Sequence, residues 1–168
     1  MPGWARAYVR WVEGLNYRIG RIVIYLLFVM MAILLWSSIS KTFFLPSLWT
    51  LEMAQFTLVA YYMLGGPYSM QMGMHVRMDL LYSRWTRRQR AWVDAFTIVA
   101  LLVYLSVFIW GGISSTTYAL EYNERSYSAW APLMWPIKSL MVLAGVLMLL
   151  QAIACLIRDI AITRGEEI

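Results

Sequence analysis

The sequence predicts an all-α integral membrane fold: four transmembrane helices, both termini on the cytoplasmic side, and a short cytoplasmic amphipathic helix between the second and third spans. Three observations carry this. Of 168 residues, 61% are hydrophobic and only 14% charged, against roughly 25% charged in an average soluble domain. The charges gather in a few clusters separated by long stretches that carry almost none, whereas a soluble chain of this size needs polar surface on every element. Finally, Arg6, Arg10, Arg18, Arg21, Arg77, Arg84, Arg87, Arg88, Arg90, Arg158 and Arg164 fall on one side, and only Lys41, Arg125 and Lys138 on the other. The arginine-rich side is the cytoplasmic one by the positive-inside rule. The length suits a single membrane domain over residues 1–168.

The first span is expected at 22–40, roughly 28 Å at 1.5 Å per residue, which suffices to cross a hydrocarbon core. Its apolar run is too long for a signal-peptide core and no small-residue cleavage site follows, so it reads as a retained span. The segment 42–50 is a turn with aromatic anchors. Thr50 is expected to cap the next helix, with Glu52 in its first turn and Trp49 at the interface.

The second span is expected at 51–72, with Gly65-Gly66-Pro67 kinking it or ending its regular part. The stretch from His75 through Arg77 to Asp79 then leads into the surface helix at 79–85, with Asp79 as N-cap and Leu80, Leu81 and Trp85 facing lipid. Thr86-Arg87-Arg88-Gln89 has the capping-box pattern and should start a new helix. The third span follows at 92–113 and can run on to Leu120. Trp130, Pro132, Trp135 and Pro136 suit the headgroup layer and a helix start. The fourth span is expected at 136–157.

These residues support little chemistry of their own. Metal or nucleophilic catalysis needs a cluster, and the chain has one His, one Cys and no acid pair at helical spacing within a span. An enzyme is therefore not expected, nor a cofactor in this chain. Cys155 sits among apolar residues and reads as a small filler. The net charge of +5 does not indicate nucleic acid, because the arginines bracket apolar runs instead of lining a water-soluble face. A haem anchor of a redox complex needs facing histidines, and His75 is alone at the cytoplasmic edge. An autonomous carrier would place an ionisable residue deep in a span. Glu52, Asp94 and Lys138 come closest, yet each lies near a helix start, where dipole pairing or snorkelling explains it. What remains is a membrane scaffold that works in a complex. The pairs Gly65-Gly66 and Gly111-Gly112 and the patch Ala144-Gly145 would admit a close neighbour, either a partner or another helix of the same bundle.

Trp49 and Glu52 at the start of the second span, and His75-Val76-Arg77-Met78-Asp79 with Leu80 and Leu81 after it, resemble the small membrane subunit of tripartite ATP-independent periplasmic (TRAP) transporters. So do Glu124 through Trp130, including Arg125, then Trp135 to Lys138, Gly145 and Leu150-Gln151. The resemblance covers residues 20–160. It implies a secondary transporter of the bacterial inner membrane, usually sodium-driven, that imports an organic anion such as a carboxylate. A periplasmic substrate-binding protein captures the anion, and a large multispanning subunit carries the substrate and sodium sites. The small subunit would widen the static scaffold against which an elevator-like domain moves.

On that reading, Trp49 and Glu52 would meet the large subunit or the docked binding protein, and His75, Arg77 and Asp79 would form a network fixing the surface helix. Arg125, Trp130 and Lys138 would serve an interface or structural role. Arg84, Arg87, Arg88 and Arg90 would hold anionic lipid headgroups.

Overall fold

A computed structural model of the chain describes residues 3–73 and 87–163. It contains five helices: α1 Gly3–Val23, α2 Leu26–Phe43, α3 Thr50–Gln71, α4 Arg87–Glu121 and α5 Trp135–Thr163. The described residues form no strand, only an isolated antiparallel bridge between Arg125 and Leu133. Among the described residues, three stretches are long and apolar enough to cross a membrane: Gly3–Phe43, Phe96–Glu121 and Trp135–Ala161. Helix α3 has the length, at 22 residues, but Gln55, Tyr61, Tyr62, Gly65, Gly66 and Pro67 dilute its apolar content. The expected surface helix at 79–85 lies outside the described residues, as does Thr86 of the capping box. The described part of helix α4 starts at Arg87.

Helices α2 to α5 form a row in the order α2, α3, α5, α4, in which α5 packs on both α3 and α4. Antiparallel pairing of α4 with α5 is set by small residues. Gly112 faces Val142, and Gly145 faces Phe108 and Ile109. Helix α3 runs parallel to α5, since Gly66 faces Met148 and, one turn on, Met70 packs against the cluster of Ile98, Leu105 and Ala152. The row leaves its edges bare. The buried positions of α2 are Ser37 and Ser40, while α4 exposes Phe96, Val99, Val103, Val107 and Trp110 at steps of three and four residues. Such edges suit lipid or a protein neighbour.

Two local expectations change. Gly65-Gly66-Pro67 does not end α3, which runs on to Gln71 with Pro67 buried inside it. A proline removes only one N–H, and membrane helices tolerate that loss. The stop comes from Gly73, whose φ of +67° turns the chain left-handed while its N–H bonds Met70 O at 3.2 Å. Thr50 is not the cap of α3. Trp49 occupies the cap position and makes no side-chain cap bond.

Helix α4 continues through Ser114-Ser115-Thr116-Thr117, where the Thr116 and Thr117 hydroxyls find acceptors within the helix by donating back to Gly112 O and Ile113 O, at 2.7 and 3.1 Å. It ends with Asn123 at φ +47° and Glu124 N–H reaching Ala119 O at 3.1 Å, a Schellman closure.

Candidate functional site

At one end of the row, α1 lies across α3 and α5. Its buried positions are Ala5, Val9, Val12, Asn16, Gly20 and Val23, steps of three and four that make one helical stripe. Val9 and Val12 pack on Ala154, flanked by Tyr8, Leu150 and Ile157. Gly20 is required where α1 meets α3: a Cβ there would lie 2.4–2.6 Å from the Cβ and ring of Tyr68. The Tyr17 and Tyr68 rings meet beside it with centroids 5.9 Å apart and planes tilted by 50°.

Polar ties complete this junction. Asn16 Nδ2 donates to Gln151 Oε1 at 2.7 Å, both side chains being buried. The Tyr8 hydroxyl donates to Leu150 O at 3.1 Å. Arg158 pairs with Glu13. Asn16 Oδ1 is buried without a hydrogen-bond partner, so the amide pair is satisfied on one side only.

The opposite end is built by short connections. Ser40 Oγ donates to Leu45 O at 2.8 Å, closing the α2–α3 turn. Thr50 is fully buried; its Oγ1 lies 3.1 Å from Ser37 Oγ and accepts from Ser47 Oγ at 3.2 Å. Between α4 and α5 the chain folds on itself: Ser126 N–H bonds Pro132 O and Met134 N–H bonds Glu124 O, both at 3.0 Å. Lys138, in the first turn of α5, pairs with Glu124. A cation at a helix N-terminus opposes the dipole, and the carboxylate offsets it.

No group of three or more potential metal ligands exists among the described residues. The polar groups at both ends tie helices together and present no convergent site for a substrate. A family model described as the DctQ component of tripartite ATP-independent periplasmic transporters matches residues 10–162. The chain belongs to this family. No curated protein and no solved structure gives a match. A DctQ component is the small membrane component of a transporter, not an enzyme, which agrees with the membrane-length helices.

In this DctQ component, Trp49, Glu52, Arg125, Trp130 and Lys138 come to the same end of the row. Trp49, Arg125 and Trp130 are exposed there. Glu52 is half-buried, and its Oε2 is buried with no hydrogen-bond partner. Lys138 is ion-paired, where snorkelling or dipole effects alone were expected. His75, Arg77, Asp79 and Arg84 lie outside the described residues. Arg87, Arg88 and Arg90 stand in the first turn of α4, but their side chains are outside the description. The glycine pairs divide: Gly66, Gly112 and Gly145 meet neighbours within the bundle, while Gly65 and Gly111 face open space. Sequence reasoning missed α1 and with it Tyr8, Glu13, Asn16 and Arg158. The signal was available in the stripe from Ala5 to Val23, whose steps are helical and whose intervening positions hold four arginines.

Proposed function

We propose that the chain is the static scaffold subunit of a secondary active, sodium-coupled TRAP transporter in a bacterial inner membrane, importing an organic anion delivered by a periplasmic binding protein. The match to the DctQ component over residues 10–162 carries this reading. In it, α2, α3, α4 and α5 each cross the bilayer. Helix α3 is shielded between α2 and α5, which makes its diluted apolarity tolerable, and both termini lie inside with the arginines. Substrate and sodium bind in the large multispanning subunit, and the bare apolar edges of the row supply area to hold it. Arg84, Arg87, Arg88 and Arg90 hold anionic headgroups beside it.

Glu52 and Trp49 are the contact to the large subunit or the docked binding protein. A buried carboxylate oxygen lacking a partner among the described residues is costly, and a donor from a neighbouring subunit would satisfy it. Gentle detergent purification of the tagged chain from native membranes should recover a much larger multispanning protein. Haem absorbance would instead indicate a redox anchor, and transport by the lone chain in liposomes an autonomous carrier. Glu52→Gln should lower recovery of the large subunit with the chain's own yield unchanged; unaltered recovery and uptake refute the contact.

A further inference from the structure

Helices α1 and α2 have 21 and 18 residues, about 31 and 27 Å at 1.5 Å per residue. With 18 residues, α2 falls within the roughly 17–25 residues that a membrane span uses, so the bilayer crossing does not need α1. Helix α1 could not enter the core in any case, since it carries Arg6, Arg10, Glu13, Arg18 and Arg21. The chain bends at Ile24-Tyr25 without losing its hydrogen bonds: Tyr25 N–H bonds Ile22 O and Phe28 N–H bonds Tyr25 O, both at 3.1 Å. Helix α1 then lies against the last turn of α3 at Tyr68 and against α5 from Leu150 to Arg158. Arg158 is the first charge of α5 after Lys138, and α3 ends at Gln71.

With 3.6 residues per turn, the rest of α1 divides into two surfaces. Trp4, Trp11, Leu15 and Ile22 share a flank about a third of a turn from the buried stripe. Trp4, Trp11 and Ile22 are 70%, 62% and 70% exposed. Arg10, Arg18 and Arg21 point away from the bundle and are exposed, the Arg21 guanidinium 5.9 Å from the Tyr17 ring centre. Glu13, the one acid of the helix, is taken by Arg158. The tryptophan flank continues past Ile22 into the exposed face of α2 at Tyr25, Phe28 and Val29.

We propose that α1 is an interfacial helix that binds the surface of an anionic bilayer. Its Trp4, Trp11, Leu15 and Ile22 flank lies at the headgroup–acyl boundary, and Arg10, Arg18 and Arg21 meet lipid phosphates. Charge and continuity choose this occupant. The outward faces hold arginines without an unpaired acid, and the apolar flank runs unbroken into the helix that α2 presents to lipid. The ties to Gln151 and Arg158 make the helix a strut: lipid bound on one side is coupled to α5 on the other.

The test uses the full chain in nanodiscs of phosphatidylcholine with a minority of phosphatidylglycerol. Spin labels are placed singly at Trp11→Cys, Ile22→Cys and Gly14→Cys with Cys155→Ala. The labels at 11 and 22 should be reached by oxygen, which partitions into lipid, and the label at 14 by an aqueous nickel complex. In parallel, native mass spectrometry of the R10Q/R18Q/R21Q variant should show a several-fold lower ratio of retained phosphatidylglycerol to phosphatidylcholine, while Arg125→Gln leaves the ratio unchanged. Nickel access at 11 and 22 overturns the proposal, as does loss of oxygen access there once the co-purified large subunit is present, which would make the flank a protein interface. An unchanged lipid ratio in the triple variant overturns the phosphate contacts.

Discussion

The two ends of the helical row are held by different kinds of contact. Where α1 crosses the bundle, the ties join residues far apart in sequence: Tyr8 to Leu150, Asn16 to Gln151 and Glu13 to Arg158 span 142, 135 and 145 positions. At the opposite end every tie is local. Ser40 to Leu45, Ser47 to Thr50, Ser37 to Thr50 and Glu124 to Lys138 span 5, 3, 13 and 14 positions. Local ties set the shape of a turn and cost little chain entropy to close. Distant ties decide how helices sit against one another, and here they gather around the arginine-bearing helix α1. The α1 end therefore carries the tertiary arrangement, and the loop end carries the connections.

The strongest way to break this contrast is Gly20→Ala. A methyl group placed 2.4–2.6 Å from Tyr68 strikes the Cβ and near ring atoms, which cannot swing aside, so α1 must lift from α3. The expected cost is about 1–3 kcal/mol, read as a lower thermal midpoint in detergent and faster trypsin cleavage at Arg18 and Arg21. An unchanged midpoint and cleavage rate would show that α1 does not depend on this contact.

A double-mutant cycle on Asn16→Leu and Gln151→Leu sharpens the contrast at its polar tie. Each single change strands the partner's buried amide and should cost about 1 kcal/mol, with the double variant costing little more than either single one. Full additivity would mean that the two amides do not interact.

The smallest effect belongs to the loop end. Glu124→Gln should lower stability by less than about 1 kcal/mol and loosen the 122–134 segment alone. Hydrogen exchange should quicken at Ser126 and Met134 and stay constant in α1. Faster exchange in α1 would show that the two ends are coupled.

The same contrast explains what could be read beforehand. The turn after α2 and the proline at the head of α5 are written in a few adjacent residues, so their positions were legible. Of the two outcomes expected for the Gly-Gly-Pro segment, a kink or an end, the end does not occur, because local preference yields to burial of Pro67 inside the packed helix. Helix α1 escaped notice because its arginines resemble a topology signal more than a helix surface. Its apolar stripe acquires meaning only when Tyr68 and Ala154 are in place to cover it.

Composition and charge placement by themselves determined that the chain belongs in a membrane and that its helices are of membrane length. Those properties follow from transfer free energies, which add up residue by residue. Only the tertiary structure decided that α5 stands between α3 and α4, that α1 folds back onto the row and that Asn16 meets Gln151. In a chain whose lipid-facing and protein-facing surfaces are equally apolar, hydrophobic pattern cannot choose neighbours. The choice falls to close fit at Gly20, Gly112 and Gly145 and to a few buried polar pairs.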